Sequence, residues 1–257
     1  EFQLFTKYNV ISHLLSTISV GSAIFFSKDI LVILLTYFTV WTISRSFFSL
    51  RIVSKCKIEV QKDTKSIRYG KHLTLMNVIN TVAEHIDKIL IFHYLGAAQL
   101  AIYAFSIAFP EQIKGFLKNI ATMAMPKFAD RSMQDIKKTI LKKMAILILF
   151  CIPIIILYIL LAPVIFNLIL PQYTESIFYS QLFSVSLLSI AGSLPLSALR
   201  AHAVKNKLYA YNITTSLFQI VVLFFLVRYF GVLGAITTRV IVRLVSTFFA
   251  FYLTQKN

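Results

Sequence analysis

The sequence predicts an all-α, polytopic helical membrane protein with about eight transmembrane helices. Three observations carry that prediction. Hydrophobic residues make up 58% of the 257-residue chain and charged residues 14%, against about 45–50% and about 25% in soluble domains. Nearly charge-free runs recur, such as 144–170 and 208–227, and roughly 20 apolar residues suffice to cross about 30 Å of hydrocarbon. Lipid admits only helices or closed barrels, and the ten-residue alternation of barrel strands is missing.

The spans follow in order, each delimited by a polar or glycine-bearing connection. The first, 8–26, ends at SKD (27–29), and the second, 29–50, ends at the basic run that begins with Arg51. Spans 72–95 and 98–126 meet at the turn GAA (96–98). Span 144–170 lies between a lysine pair and PQYTE (171–175), and 174–199 stops at Arg200. The last two, 208–229 and 232–254, meet at RYFG (228–231). No polar stretch is long enough for a soluble domain. Three divisions result: 1–50 as two helices of one bundle, 51–71 as a basic inter-bundle loop, and 72–257 as a six-helix bundle.

Charge orients the spans. The formal net charge is +16, and its distribution points away from nucleic acid. Residues 51–71 carry seven Lys/Arg, 127–143 carry six, and 200–207 carry three, while the alternate connections are almost bare. Cytoplasmic loops collect Lys and Arg, so the basic loops and both ends of this chain are expected in the cytoplasm. Those loops also suit anionic lipid headgroups, at about 1 kcal/mol per basic residue near the surface. The bare outer connections leave no room for a catalytic loop that would build or ligate sugars, so an enzyme is not expected. Cys56 and Cys151 form no disulfide framework, and neither Cys nor His falls at metal-ligand spacing. No cofactor or metal is expected.

The informative residues are charges at bilayer depth. Span 72–95 holds eleven Leu, Ile, Val and Phe, worth about −5 kcal/mol at best. Glu84, Asp87 and Lys88 would together cost about +9 kcal/mol. The charges win, so one side of this helix must face protein or water. Asn77, Asn80, Thr81, Glu84 and Lys88 share that face at 3–4 spacing. In the next span Glu111, Lys114, Lys118 and Thr122 repeat the pattern, with Pro110 and Gly115 as candidate bends. Arg239 and Arg243 sit one turn apart in the last span. Arg45 lies nearer the cytoplasmic end and is able to snorkel.

Two readings of these residues stand side by side. In one they are interhelical pairs that hold the bundle together, Glu84 with Lys88 among them. In the other, surplus cations line a cavity for an anionic substrate, because six cations face three acids. Lys88, Lys114, Lys118, Arg239, Arg243 and Arg45 are then the substrate contacts, and Glu84, Asp87 and Glu111 balance charge or couple to an ion. Span 144–170 carries no charge; it is expected against lipid or packed on apolar neighbours, kinked at Pro153 and Pro163.

IDKILIFHYLGAAQLAIYAFS (86–106), with Asp87-Lys88, Leu95-Gly96 and Tyr103, resembles the seventh-helix region of polysaccharide flippases. These are O-antigen (Wzx-type) exporters of the multidrug/oligosaccharidyl-lipid/polysaccharide superfamily. PQYTES (171–176) and GVLGAITT (231–238) add to the likeness. The resemblance implies a MATE-like fold of two six-helix bundles, of which this chain supplies helices five to twelve. The missing initial Met agrees with an N-terminally truncated fragment. It also implies transfer of an undecaprenyl-pyrophosphate-linked oligosaccharide across the bacterial cytoplasmic (inner) membrane by alternating access, with H⁺ or Na⁺ as coupling ion and membrane lipids as surroundings. A drug/cation antiporter, a cell-wall lipid-precursor flippase, a membrane polymerase or ligase, and a structural scaffold are the alternatives.

Overall fold

The computed structural model of the chain describes residues 2–27, 29–55, 64–123, 128, 132–202 and 204–256. Helices account for nearly all of it, with no strand among the described residues. Among the described residues six stretches are long and apolar enough to cross a membrane, and two of them contain a glycine break, so the all-α polytopic architecture stands. The elements are α1 (Phe2–Phe26), α2 (Ile30–Lys55), α3 (Thr64–Met123) and α4 (Met133–Ile169). A 3₁₀ turn, Pro171–Tyr173, precedes α5 (Ser176–Ser184), the 3₁₀ stretch Val185–Gly192, α6 (Ser193–Ala201) and α7 (Lys205–Gln255).

The chain forms two compact units, residues 1–65 and 66–257. In the first, α1 and α2 pair as a hairpin. Tyr8 stacks on Phe48 with ring centroids 4.7 Å apart, which places the reversal midway, near residue 28. Asp29 starts α2, its carboxylate accepting from the Leu31 N–H at 2.9 Å and satisfying one of the orphan donors at a helix N-terminus. Ser12, Ser16 and Ser44 are buried; such small residues let helix backbones approach in lipid.

In the second unit, α3 and α7 are each two helices. A straight 51-residue helix would run about 75 Å, more than twice the hydrocarbon thickness of about 30 Å. Glycine resolves this. Gly96 (φ 86°, ψ 178°) and Gly231 (φ 56°, ψ −132°) leave the helical region, in conformations that a Cβ would oppose. The Tyr103 hydroxyl donates to Asp87 across the first break, and Tyr211 stacks on Phe249 across the second, centroids 6.1 Å apart. Both contacts are centred on their glycine, so each long helix folds back as an antiparallel hairpin. The two reversals lie together, since a Cβ on Gly231 would sit 3.6 Å from the Leu95 side chain. Within α3 the helical dihedrals are broken only at Gly96, so the helix runs through Pro110 and Gly115.

Around these reversals Ile91, Tyr103, Ile107, Leu223, Val227 and Ile236 form one core. A second core joins Ile136, Ile140, Leu147 and Cys151 of α4 to Leu187, Ile190 and Ala198. α4 buries residues 136, 140, 144, 147, 151, 155, 158, 162 and 166, a stripe at 3–4 spacing, while Leu149, Ile156, Leu160 and Leu168 on its other faces are exposed. The uncharged helix thus both packs and presents an apolar face suited to lipid. Its start differs from the sequence reading. The stretch 127–143, expected as a loop, is helical from Met133, because Ser132 caps it by accepting from the Asp135 N–H at 3.2 Å. Likewise α2 runs to Lys55 and α3 starts at Thr64, so both ends of 51–71 are helical.

Pro163 cannot donate to the Ile159 carbonyl one turn earlier. The Gln181 amide does so instead, at 2.9 Å, which is how a proline is tolerated at membrane depth. The central segment 176–201 carries the buried residues Ser180, Ser184, Ser186, Ala191, Gly192 and Ala198. Its small side chains admit α7 closely, and a Cβ on Gly192 would come within 3.0 Å of the Thr247 Cα.

Candidate functional site

Arg239 and Arg243 sit one turn apart on the part of α7 beyond Gly231, and each meets a carboxylate from α3. Arg239 Nη2 lies 2.7 Å from Asp87 Oδ2. Its Nη1 is 3.6 Å from Glu111 Oε1, an oxygen that also pairs with Arg243 Nη2. The hairpin at Gly96 makes this possible by bringing residue 87 level with 103 and close to the helix that carries 111. Asp87 is fully buried. It accepts from the Tyr103 hydroxyl and from the Lys88 backbone N–H at 2.8 Å. Arg243 also donates to Ser186 Oγ at 3.0 Å, and its guanidinium lies 4.8 Å from the centroid of the Phe183 ring, within cation–π range.

These arginines form part of the wall of a cavity of about 320 Å³ inside the second unit. At roughly 30 Å³ per water it has space for about ten waters. Four helical segments each turn one polar stripe toward it. α3 contributes Lys114 and Lys118, and the central segment contributes Ser189, Ser193, Ser197 and Arg200. The first half of α7 contributes Tyr211, Asn212, Thr215, Ser216 and Gln219; its second half contributes Arg239, Arg243, Ser246 and Thr247. Each set follows helical 3–4 spacing, so each is one face of its helix. Five of the lining residues are cationic, and among the described residues that line the cavity there is no carboxylate. Asp87 and Glu111 are not among the lining residues but pair with the two arginines that are.

Such a lining suits a compact anion. Guanidinium groups offer paired donors to phosphate oxygens, the lysines add point charge, and the hydroxyl and amide groups can bond to phosphate or sugar oxygens. Burial strengthens these interactions at Arg239, which is 9% exposed, more than at the exposed Lys118 and Arg200. Among the described residues no cluster of His, Cys, Asp and Glu could hold a metal ion.

The residues singled out in the sequence are distributed unevenly. Lys114, Lys118, Arg239 and Arg243 come together at the cavity, with Glu111 and Asp87 paired to the two arginines. Lys88 is half-buried beside Asp87 and is not among the lining residues. Arg45 belongs to the first unit, where its guanidinium lies 4.3 Å from the Trp41 ring centroid. The side chains of Glu84, Asn77, Asn80 and Thr122, and Cys56, lie outside the described residues.

Three contributors escaped the sequence reading. Arg200 lies in sequence at the start of a basic connection. Tyr103 stands out in the sequence only through the family resemblance, yet its hydroxyl donates to Asp87. The stripe 211–219 has no charge to draw notice, although Asn212, Thr215, Ser216 and Gln219 already show helical spacing in an otherwise apolar run.

No curated protein and no solved structure matches the chain. A family model described as "Polysaccharide biosynthesis protein" matches residues 1–178, from the first helix into α5. The match takes in both helices of the first unit, Asp87, Tyr103, Glu111, Lys114 and Lys118, and covers more than half of the sequence. The chain, a helical membrane protein, belongs to the polysaccharide biosynthesis protein family.

Proposed function

We propose that this protein is a flippase that moves an undecaprenyl-pyrophosphate-linked oligosaccharide, an O-antigen or similar surface-polysaccharide unit, across the bacterial cytoplasmic membrane. One observation carries the reading: five cations and no carboxylate among the described residues that line a partly open polar cavity within the helix bundle. The diphosphate is the part of such a substrate that hydrocarbon rejects most strongly, and a lining richer in cations than in acids compensates its charge. Lys114, Lys118, Arg200, Arg239 and Arg243 would hold the headgroup while the isoprenoid chain stays in lipid. Alternating access then exposes the headgroup to one side and afterwards to the other. The protein performs no bond chemistry in this reading and needs no cofactor; a H⁺ or Na⁺ gradient is the proposed driving force. The charge of the connections supports an orientation with both ends of this chain in the cytoplasm.

A cation/drug antiporter of the same superfamily would want acids facing the cavity, and the wall offers cations instead. The test is genetic. In a strain deleted for this protein's gene, Lys114→Gln and Arg243→Gln in the full-length protein should fail to restore surface polysaccharide while reaching wild-type levels in the membrane. Normal polysaccharide with both variants would refute the headgroup assignment.

A further inference from the structure

Two carboxylates serve the two arginines of one helix face, and they are held in different ways. Asp87 is wholly enclosed and has three partners: Arg239 at 2.7 Å, the Tyr103 hydroxyl and the Lys88 N–H. Glu111 follows directly on Pro110, and its side chain is 33% exposed. Among the described residues its bonding is to the guanidinium groups, one oxygen serving Arg243 Nη2 and lying 3.6 Å from Arg239 Nη1. Arg243 lines the cavity, and its partner Glu111 is not among the lining residues. An anion in the cavity therefore approaches a guanidinium that is anchored on one nitrogen by Ser186 and occupied on the other by Glu111.

We propose that Glu111 is an exchangeable stand-in for the substrate's phosphate. With the cavity empty it neutralises Arg243, because a buried guanidinium without a counter-ion is strongly disfavoured. When a phosphate oxygen enters, Arg243 passes from Glu111 to the phosphate, while Asp87 stays on Arg239 as the fixed counter-ion. Glu111 then returns to Arg243 as the phosphate leaves. The device weakens binding on purpose, since a carrier must let go of what it carries, as a conducting site must bind strongly enough to fill and weakly enough to empty. Glu111 is thus a positioning residue acting through Arg243, and the proposal rests on the anion-cavity reading above.

A structural role and an exchange role predict opposite signs for anion binding. The test uses the full-length protein in nanodiscs, with inorganic pyrophosphate as probe, calorimetry as readout and chloride as control. Glu111→Gln removes the internal competitor and should tighten pyrophosphate binding about tenfold, within the usual range of coupling between sites. Glu111→Asp keeps a shorter, poorer competitor and should fall between wild type and Glu111→Gln, which also preserves the test should the glutamine variant fail to fold. In cells, Glu111→Gln should lower surface polysaccharide despite its tighter binding, and Glu111→Asp should retain more of it. Unchanged or weaker pyrophosphate binding in both variants, with wild type binding measurably, would overturn the exchange and leave the anion cavity in place. No wild-type binding above chloride would overturn both.

Discussion

α4 and α7 are both apolar enough to cross a bilayer, yet α4 and the part of α7 beyond Gly231 hold their neighbours by different chemistry. The packed stripe of α4 is Ile136, Ile140, Met144, Leu147, Cys151, Ile155, Tyr158, Ala162 and Phe166, with nothing ionisable at bilayer depth beyond a cysteine and a tyrosine. The packed stripe of the α7 segment includes Ala235, Ile236 and Val240 but also Thr238, Arg239 and Thr247. In lipid the apolar stripe gains little from leaving its surroundings, because hydrocarbon is as apolar as leucine; it holds by close packing. The polar stripe holds by directed bonds, and each of those needs a partner at a defined place. Average hydropathy therefore decides that a helix spans, while the few residues on its packed face decide whether it is scaffold or site.

The sharpest way to break this contrast is to remove a partner from the polar stripe. Asp87→Asn leaves Arg239 buried with its enclosed counter-charge gone, and about 3–5 kcal/mol of stability should go with it. Thermal unfolding in detergent measures the loss, and a shift within error of wild type would mean that the ion pair does not hold the hairpin. A smaller effect is expected on the scaffold side. Gln181→Ala orphans the Ile159 carbonyl beneath Pro163 and should cost about 1 kcal/mol. Restoring a backbone donor with Pro163→Ala should make the same glutamine change nearly silent, a coupling that a double-mutant cycle reads directly. Equal costs in both backgrounds would deny the proline its role.

Much of the architecture was legible because its signals are local. Hydropathy and the alternating basic connections located the spans, and Leu95-Gly96 and Phe230-Gly231 marked the two reversals. The start of α4 is not legible in the sequence, because Lys137, Lys138, Lys142 and Lys143 read as a loop in a count of charges. A helix can carry such residues above the bilayer once Ser132 caps it. The site was legible as a set of charges but not as a set of partners. Glu84 with Lys88 was the pair visible at i,i+4, whereas Arg239 with Asp87 is separated by about 150 residues and exists only after both hairpins fold. Arg200 was hidden by its place at a span end, and Asn212 and Gln219 by being uncharged. Neutral polar residues barely disturb hydropathy, but a cavity lined by them differs physically from an apolar seam.

The central claim is that the cationic residues around the cavity act together on one anion. Pyrophosphate affinity of the full-length protein in nanodiscs, measured as Lys114, Lys118 and Arg200 are changed to Gln singly and then in combination, tests it most directly. Each substitution should weaken binding by about three- to tenfold, as expected for loss of a charge-assisted contact. The combination should abolish binding, and Lys142→Gln on the exposed start of α4 should leave it unchanged. Affinity that falls equally with Lys142→Gln, or survives the triple substitution, would contradict the account.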